Sequence, residues 1–283
     1  QISNPISRLP GLIAGRKAAG ALIEKAEKIV SVERQEPKTM EIAGPVRTIS
    51  LQNVFFAYEE HNVLRDISLQ FEQGKSYAVV GESGSGKSTL LSLIMAYQDA
   101  SSGRITYDNV DIRTVKMESI VNHISEIQQN VFIFNATVWD NVTMFQEFPE
   151  DKVSEALEKA GLSELIANKG KKYLCEEGGC NLSGGEKQRI SIARSFLKKA
   201  SVLIADEVTA ALDAETSFHV MEEILRMKQM TRIVVSHDMN PNLLKQYDRI
   251  NVMKNGEVRE QGCFEELMER KAYFYSLYNV ANV

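Results

Sequence analysis

The stretch Gly81-Glu82-Ser83-Gly84-Ser85-Gly86-Lys87-Ser88-Thr89 matches the pattern G-x-x-x-x-G-K-[ST]. It follows a short apolar run, 76–80, that is typical of a buried strand, and it precedes a helical pattern. In this context glycines let successive backbone N–H groups converge on one point, where the helix N-terminus adds partial positive charge. We therefore predict a phosphate-binding loop, in which Lys87 contacts the β- and γ-phosphates and the Ser88 hydroxyl is a Mg²⁺ ligand.

Two acidic residues follow a second apolar run. Residues 202–205 are apolar, and Asp206 and Glu207 come directly after them. Successive strand residues point to opposite faces, but just past a strand end both side chains can address a nucleotide. Alone, this pattern would equally suit a helix cap. Beside a phosphate-binding loop, it predicts that Asp206 holds Mg²⁺, directly or through water, and that Glu207 orients or deprotonates the attacking water.

A third motif is Leu182-Ser183-Gly184-Gly185-Glu186, which precedes an amphipathic helical pattern. Ser183 can cap that helix, and the free N–H groups of its first turn can bind an anion. A Ser-Gly-Gly sequence alone is usually only a cap, so on its own the motif leaves both interpretations open.

Strand and helix signals alternate along the chain. Period-two patterns over 49–56 and 63–71 come first. Further strand patterns cover 76–80, 104–107, 124–127, 202–205 and 233–236, and helical patterns cover 87–97, 138–168, 186–199 and 215–228. This alternation predicts a largely parallel sheet covered by helices.

Composition narrows the class of protein. The 283 residues are 43% hydrophobic and 25% charged, which excludes collagen-like, mostly disordered and disulfide-scaffold proteins. The formal charge of −5 disfavours a nucleic-acid partner. Three cysteines indicate a reducing, cytosolic environment.

Residues 1–45 differ from the rest. Apolar residues recur at helical spacing over about 12–31, and Pro37 and Pro45 follow in an extended linker. The helix would either dock on its own domain or form the tail of a preceding domain, and the pattern alone favours neither. A first residue that is Gln rather than Met leads us to expect a piece of a longer polypeptide.

Together the motifs resemble the nucleotide-binding domain of ABC transporters, over roughly residues 46–283. The loop, the Leu-Ser-Gly-Gly-Glu signature and the acidic strand end stand in the family's order. The smaller motifs also match. Tyr58 stands where the family stacks an aromatic ring on adenine, Gln129 resembles the Q-loop glutamine, Asp213 the D-loop aspartate, and His237 the switch histidine.

The resemblance implies an α/β P-loop NTPase fold with a mixed, mainly parallel sheet core. It also implies an N-terminal antiparallel β subdomain and an inserted α-helical subdomain over about 130–197. The implied activity is ATP hydrolysis with ATP and Mg²⁺. The implied catalytic residues are Lys87, Gln129, Glu207 and His237. The implied metal-binding residues are Ser88, Gln129 and Asp206, and the nucleotide-binding residues are Tyr58, the loop 81–89 and Gln129.

Within the family, residues 132–142 resemble the exporter pattern after the Q-loop. Residues 1–45 resemble the cytoplasmic end of an exporter's last membrane helix and its linker. The resemblance implies the motor domain of a fused half-transporter at the cytoplasmic face of the cell membrane. Its partners would be the transmembrane domain of the same parent chain and a second nucleotide-binding domain, identical or different. The two domains would pair head to tail, so that Ser183, Gly184, Gly185 and Asp213 contact the partner's nucleotide.

Two other functions remain open. A soluble ABC ATPase of DNA repair or translation would carry the same motifs, although the acidic charge and the lack of a coiled-coil insertion argue against it. A regulatory module would bind nucleotide without turnover, and the presence of Glu207 and His237 argues against that.

Overall fold

The structure is a computed structural model, and it describes residues 38–59, 61–127, 131–209 and 211–281. The helix expected over 12–31 and the residue Gln129 lie outside these ranges. Among the described residues no helix is both long and apolar enough to cross a bilayer.

The described residues form two β-sheets. In chain order the strands are β1 Thr48–Tyr58, β2 His61–Glu72, β3 Ser76–Gly81, β4 Ser102–Tyr107, β5 Val110–Asp111, β6 Ile124–Ile127, β7 Val202–Asp206, β8 Thr231–Val235, β9 Arg249–Lys254 and β10 Glu257–Gly262. The α-helices are α1 Lys87–Ile94, α2 Met117–His123, α3 Val138–Thr143, α4 Glu150–Lys159, α5 Ser163–Lys169, α6 Gly184–Leu197, α7 Ala214–Arg226, α8 Pro241–Leu244, α9 Phe264–Arg270 and α10 Tyr273–Ala281. Two short 3₁₀ helices cover Ile112–Thr114 and Glu177–Gly179.

The larger sheet has the order β10-β9-β3-β8-β7-β6. All its pairings are parallel except that of β10 with β9. Its strands β3, β7 and β8 are buried on both faces: Val79 belongs to one hydrophobic core, and Ala78 and Val80 belong to the other. This explains the continuous apolar runs in the sequence, because a strand covered on both faces has no polar side. The prediction of a mainly parallel sheet covered by helices is confirmed.

The smaller sheet is antiparallel, with the order β2-β1-β4-β5. Its period-two pattern follows from burial of one face, on which Ile49 and Leu51 are almost fully covered. These side chains share a core with α1 and with one face of the larger sheet. The fold is therefore the α/β P-loop NTPase architecture that the motifs predicted, with an N-terminal antiparallel sheet.

Four α-helices of the described residues, α3 to α6, lie between β6 and β7 in the chain. The single helical stretch predicted over 138–168 was wrong, because three helices occupy it. Helix α3 ends at Met144 in a left-handed conformation, Pro149 precedes α4, and Gly161 has a φ of +71° after α4. Each of these residues marks a helix end, although the helical spacing of apolar residues continues across it. The helix predicted over 186–199 begins two residues earlier, at Gly184.

A tight turn joins β9 and β10 and supports the glycine-rich loop. Asn255 and Gly256 both have positive φ, which is the geometry of a two-residue hairpin turn. A Cβ at Gly256 would lie 2.2 Å from the carbonyl oxygen of Val63, so only glycine fits there. The Gly256 N–H donates to the Ser85 carbonyl at 3.1 Å, which ties the turn to the loop after β3.

Candidate active site

The glycine-rich loop lies between β3 and the first turn of α1. Gly86 is the N-cap of α1 and has a φ of +99°, which a side chain would strain. A Cβ at Gly86 would also lie 2.6 Å from Cδ2 of Leu64. The loop therefore leads directly into the N-terminus of α1, where the helix adds partial positive charge.

Lys87 begins α1 and folds back over the loop. Its Nζ donates to the carbonyl oxygens of Gly81 and Glu82, both at 2.9 Å, and the residue is only 5% exposed. Burial lowers the pKa of Lys87, and the nearby carboxylates of Glu207 and Asp206 oppose that shift. The ammonium is thus held at the phosphate-binding loop by two of its three donors.

Asp206 ends β7 beside the first turn of α1. Burial raises the pKa of Asp206, and a hydrogen bond with the Ser88 side chain opposes that shift. Its Oδ1 is buried and has no hydrogen-bond partner among the described residues. A buried carboxylate oxygen without a donor is costly, and a cation next to it would remove the cost. Carboxylate and hydroxyl oxygens suit Mg²⁺, so this pair fits the ion that the motifs imply.

Glu207 and His237 meet at the carboxyl ends of two neighbouring strands. Asp206 of β7 pairs with Val235 of β8, so the residues that follow both strands reach the same edge of the sheet. Glu207 has a φ of +49° and its N–H donates to the Val235 carbonyl. Oε1 of Glu207 lies 2.8 Å from Nε2 of His237.

Most of these groups line one open depression with a volume of about 200 Å³. It is lined by Val63, Ser83, Gly84, Gly86, Lys87, Ser88, Thr89, Glu207 and His237. A phosphate-binding loop, a buried lysine and an acid–imidazole pair therefore face one space. Val63 also lines the depression, and the sequence predicted only that it lies in a strand.

Tyr58, at the end of β1, is not among the residues that line this depression. The residue is 48% exposed, and its ring packs edge-on against Phe56, with 4.8 Å between the centroids. Its hydroxyl accepts a hydrogen bond from Nε2 of Gln98 at 3.0 Å. Gln98 therefore fixes the tyrosine, a role that no motif in the sequence indicates.

The Ser-Gly-Gly motif caps α6 through a capping box. The Glu186 N–H donates to Oγ of Ser183 at 3.2 Å, and the Ser183 N–H donates to Oε2 of Glu186 at 2.6 Å. Asp213 caps α7 in a similar way, and hydrogen bonds from Thr216 lower its pKa. None of these capping residues is among those that line the depression. Gln129 lies outside the described residues.

Comparisons with known proteins agree with this geometry. The model of the ABC transporter family matches residues 64–210. An uncharacterized ABC transporter ATP-binding protein, YwjA of Bacillus subtilis, is 36% identical over 98% of this chain and 48% of its own length. An ATP-dependent lipid A-core flippase of Syntrophus aciditrophicus is 36% identical over 98% of this chain and 47% of its own length.

A solved structure is similar as well. It is that of a bacterial Atm1-family ABC exporter with ATP bound, at 27% identity and a TM-score of 0.83. The match covers 96% of this chain and 49% of that one. The chain thus spans about half the length of the relatives that it matches. Its fold, its phosphate-binding loop and these similarities lead to one conclusion: the chain belongs to the ABC transporter family, as an exporter-type domain that binds ATP with Mg²⁺ and hydrolyses it.

Proposed function

We propose that this domain closes head to tail with a second nucleotide-binding domain around ATP, and that the cycle of closure and hydrolysis drives export across a membrane. The observation that supports the proposal is the separation, within one chain, of the phosphate-binding loop from the capped N-terminus of α6. Six residues of the loop line the depression, whereas the N-terminus of α6 is absent from its described lining. A second domain would bring such a helix end to the loop.

Within one chain, the loop backbone and Lys87 would bind the phosphates. Asp206 and Ser88 would hold Mg²⁺ with Gln129, and the buried, unpartnered Oδ1 of Asp206 supports this assignment. Bound Mg²⁺ would neutralise negative charge on the phosphate oxygens. Tyr58 would stack on the adenine ring, since its exposed ring can turn a face to a base.

Glu207 would act on the attacking water as general base or orienting group. Its contact with His237 holds the carboxylate at the edge of the sheet, and Glu207 lines the depression in which the water would be activated. His237 would also contact the γ-phosphate, since both side chains line the same depression. Gln129 would report the nucleotide state to the membrane domain.

In the closed pair, Ser183, Gly184 and Gly185 would contact the γ-phosphate of the partner's ATP. The capping box orders the first turn of α6, so its N–H groups are already aligned when an anion arrives. Asp213 would lie in the same interface, because its D-loop packs against the signature: a Cβ at Gly185 would lie 3.1 Å from the Ala211 carbonyl oxygen.

Ser183→Asp tests this arrangement. Aspartate caps a helix as well as serine does, so the free energy of unfolding should change by less than about 0.5 kcal/mol. Its charge would repel a phosphate approaching from the partner, and we expect the ATPase rate to fall by about 30-fold or more. ATP affinity of the separate chain should stay unchanged, because the residues that bind ATP there are elsewhere.

Ser183→Asn is the matched control, because it keeps the cap without adding charge. Its ATPase rate should stay much closer to that of the parent. Equal rates for the Asp and Asn variants would contradict a phosphate contact at Ser183 and leave it as a helix cap.

The membrane part of the proposal concerns the location and the partner. We place the domain at the cytoplasmic face of the cell membrane, joined to a transmembrane domain of the same parent chain and paired with an identical or a different nucleotide-binding domain. The names of the relatives, a flippase and an exporter, support this placement. Substrate contacts would lie in the membrane domain.

The gene that encodes this chain tests the membrane partner. We expect about six apolar segments, each of about 20 residues, encoded upstream of Gln1 in the same reading frame. The observation is made by sequencing the transcript to its start codon. A reading frame without such segments would contradict the fused half-transporter and favour a soluble ABC ATPase.

A further inference from the structure

The C-terminal helix α10 contacts the phosphate-binding loop. The Tyr273 hydroxyl donates to Oε1 of Glu82 at 2.9 Å, across 191 residues of sequence. Glu82 is the second residue of the glycine-rich loop, directly after β3. The loop is therefore held by a side chain that belongs to none of the nucleotide-binding motifs.

Tyr273 is itself held firmly. The next residue, Phe274, is fully buried and packs edge-on against Phe264, with 6.1 Å between the ring centroids. The Phe274 N–H donates to Oε2 of Glu260 on β10. The ammonium of Lys254 lies 4.1 Å from the centroid of the Tyr273 ring. The hydroxyl therefore reaches Glu82 from a rigid support, and little side-chain freedom is lost in making the bond.

Glu82 is a sensitive position for such a contact. Its carbonyl oxygen accepts from Nζ of Lys87 at 2.9 Å and from the Ser85 N–H at 3.2 Å. Its carboxylate is a negative charge in a loop that must receive a polyphosphate. A carboxylate free to swing toward the phosphates would weaken ATP binding by repulsion. The described lining of the depression does not include Glu82, and its hydrogen bond to Tyr273 holds the carboxylate there.

We propose that Tyr273 is a positioning residue for ATP binding: its hydrogen bond holds the Glu82 carboxylate outside the depression and away from the phosphates. The inference rests on ATP binding by the loop and is independent of head-to-tail pairing. Burial and the hydrogen bond with Glu82 raise the pKa of Tyr273 to about 12, so the hydroxyl remains a donor at neutral pH. The C-terminal helix thus contributes to affinity for nucleotide without touching it.

Tyr273→Phe is the test, because it removes one hydroxyl and keeps the ring against Lys254. We expect the Kd and the KM for ATP to rise about three- to tenfold, and kcat to stay within about twofold. The rise should shrink in high salt, since screening weakens repulsion between exposed charges. Equilibrium binding is measured with a fluorescent ATP analogue on the purified chain, and KM from phosphate release.

Glu82→Gln supplies the decisive comparison. With a neutral amide at position 82, the added Tyr273→Phe change should alter KM by less than about 1.5-fold, because no carboxylate remains to be held. Tyr275→Phe, on the same helix, should leave KM at the parent value. An equal rise in KM with and without Glu82→Gln would show that Tyr273 is only structural and overturn the proposal, as would an unchanged KM in Tyr273→Phe.

The effect of Tyr273→Phe on ATP binding can be distinguished from the effect of Ser183→Asp on head-to-tail pairing of two domains. Binding to the separate chain reports on Tyr273 even if Ser183→Asp shows that no partner contacts the nucleotide. Conversely, an unchanged Kd in Tyr273→Phe leaves the pairing proposal intact.

Discussion

Glu207→Gln is expected to reduce the kcat of ATP hydrolysis by about 10²- to 10⁴-fold, the usual contribution of a general base. The amide keeps the size of the side chain, and its oxygen can still accept from Nε2 of His237, at the 2.8 Å contact seen here. It cannot take a proton from water. ATP affinity should be retained, because the phosphate-binding loop and Lys87 are unchanged. Phosphate release in single-turnover experiments measures the rate, and equilibrium binding measures the affinity.

A matched control separates catalysis from the loss of a charge. Glu265→Gln removes an acidic side chain on the exposed side of α9 and should hydrolyse ATP at the parent rate. If Glu207→Gln also hydrolysed ATP at the parent rate, Glu207 would not be the group that acts on water.

Lys87→Ala is expected to weaken ATP binding by about 10²-fold or more. It removes a full positive charge and a charge-assisted hydrogen bond, each worth on the order of 1.5–3 kcal/mol at a phosphate. The fold should survive. The carbonyls of Gly81 and Glu82 lose their donor, but the chain also no longer buries an ammonium, whose desolvation lowers the Lys87 pKa. We therefore expect the free energy of unfolding to change by about 1 kcal/mol or less.

Lys75→Ala is the control for Lys87→Ala. Lys75 is exposed and pairs with Asp248 at the start of β3, so its loss should leave ATP affinity unchanged. Urea unfolding followed by circular dichroism measures stability, and titration with a fluorescent nucleotide measures affinity. Unchanged affinity in Lys87→Ala would remove Lys87 from the site.

Local sequence patterns predicted the centre of the molecule well. The glycine-rich loop follows β3, and Asp206 ends β7, where the motifs placed them. Such predictions succeed because strand, loop and helix N-terminus are contiguous in the chain. The contact of Glu207 with His237 also follows from topology, since residues after neighbouring parallel strands meet at one edge.

Some errors arose from signals that the sequence does contain. Pro149 and Gly161 mark helix ends within 138–168. The helical spacing of apolar residues continues past both, and on that spacing we predicted a single helix. Asn255-Gly256 is a typical hairpin turn between β9 and β10, strands for which we predicted no pattern. In both places a short backbone signal was outweighed by the broader hydrophobic pattern.

Other features could not be predicted from local sequence. The bonds from Gln98 to Tyr58 and from Tyr273 to Glu82 join residues 40 and 191 positions apart. Each depends on how helices and sheets pack, and Gln98 and Tyr273, which hold the two motif residues, belong to no nucleotide-binding motif. The polar contacts that tune a nucleotide site are thus harder to predict than the loop that defines it.

The mass of the Glu207→Gln chain, with and without ATP, tests the central claim most directly. Closing two domains costs translational freedom and desolvation, so the chain should be a monomer until ATP supplies the contacts between them. By gel filtration with light scattering we expect the mass of one chain, 31.7 kDa, without ATP and of two chains with ATP. Adding Ser183→Asp should return the mass to one chain. A single-chain mass at saturating ATP would contradict head-to-tail closure around the nucleotide. So would a two-chain mass that is the same with and without ATP and that Ser183→Asp does not change.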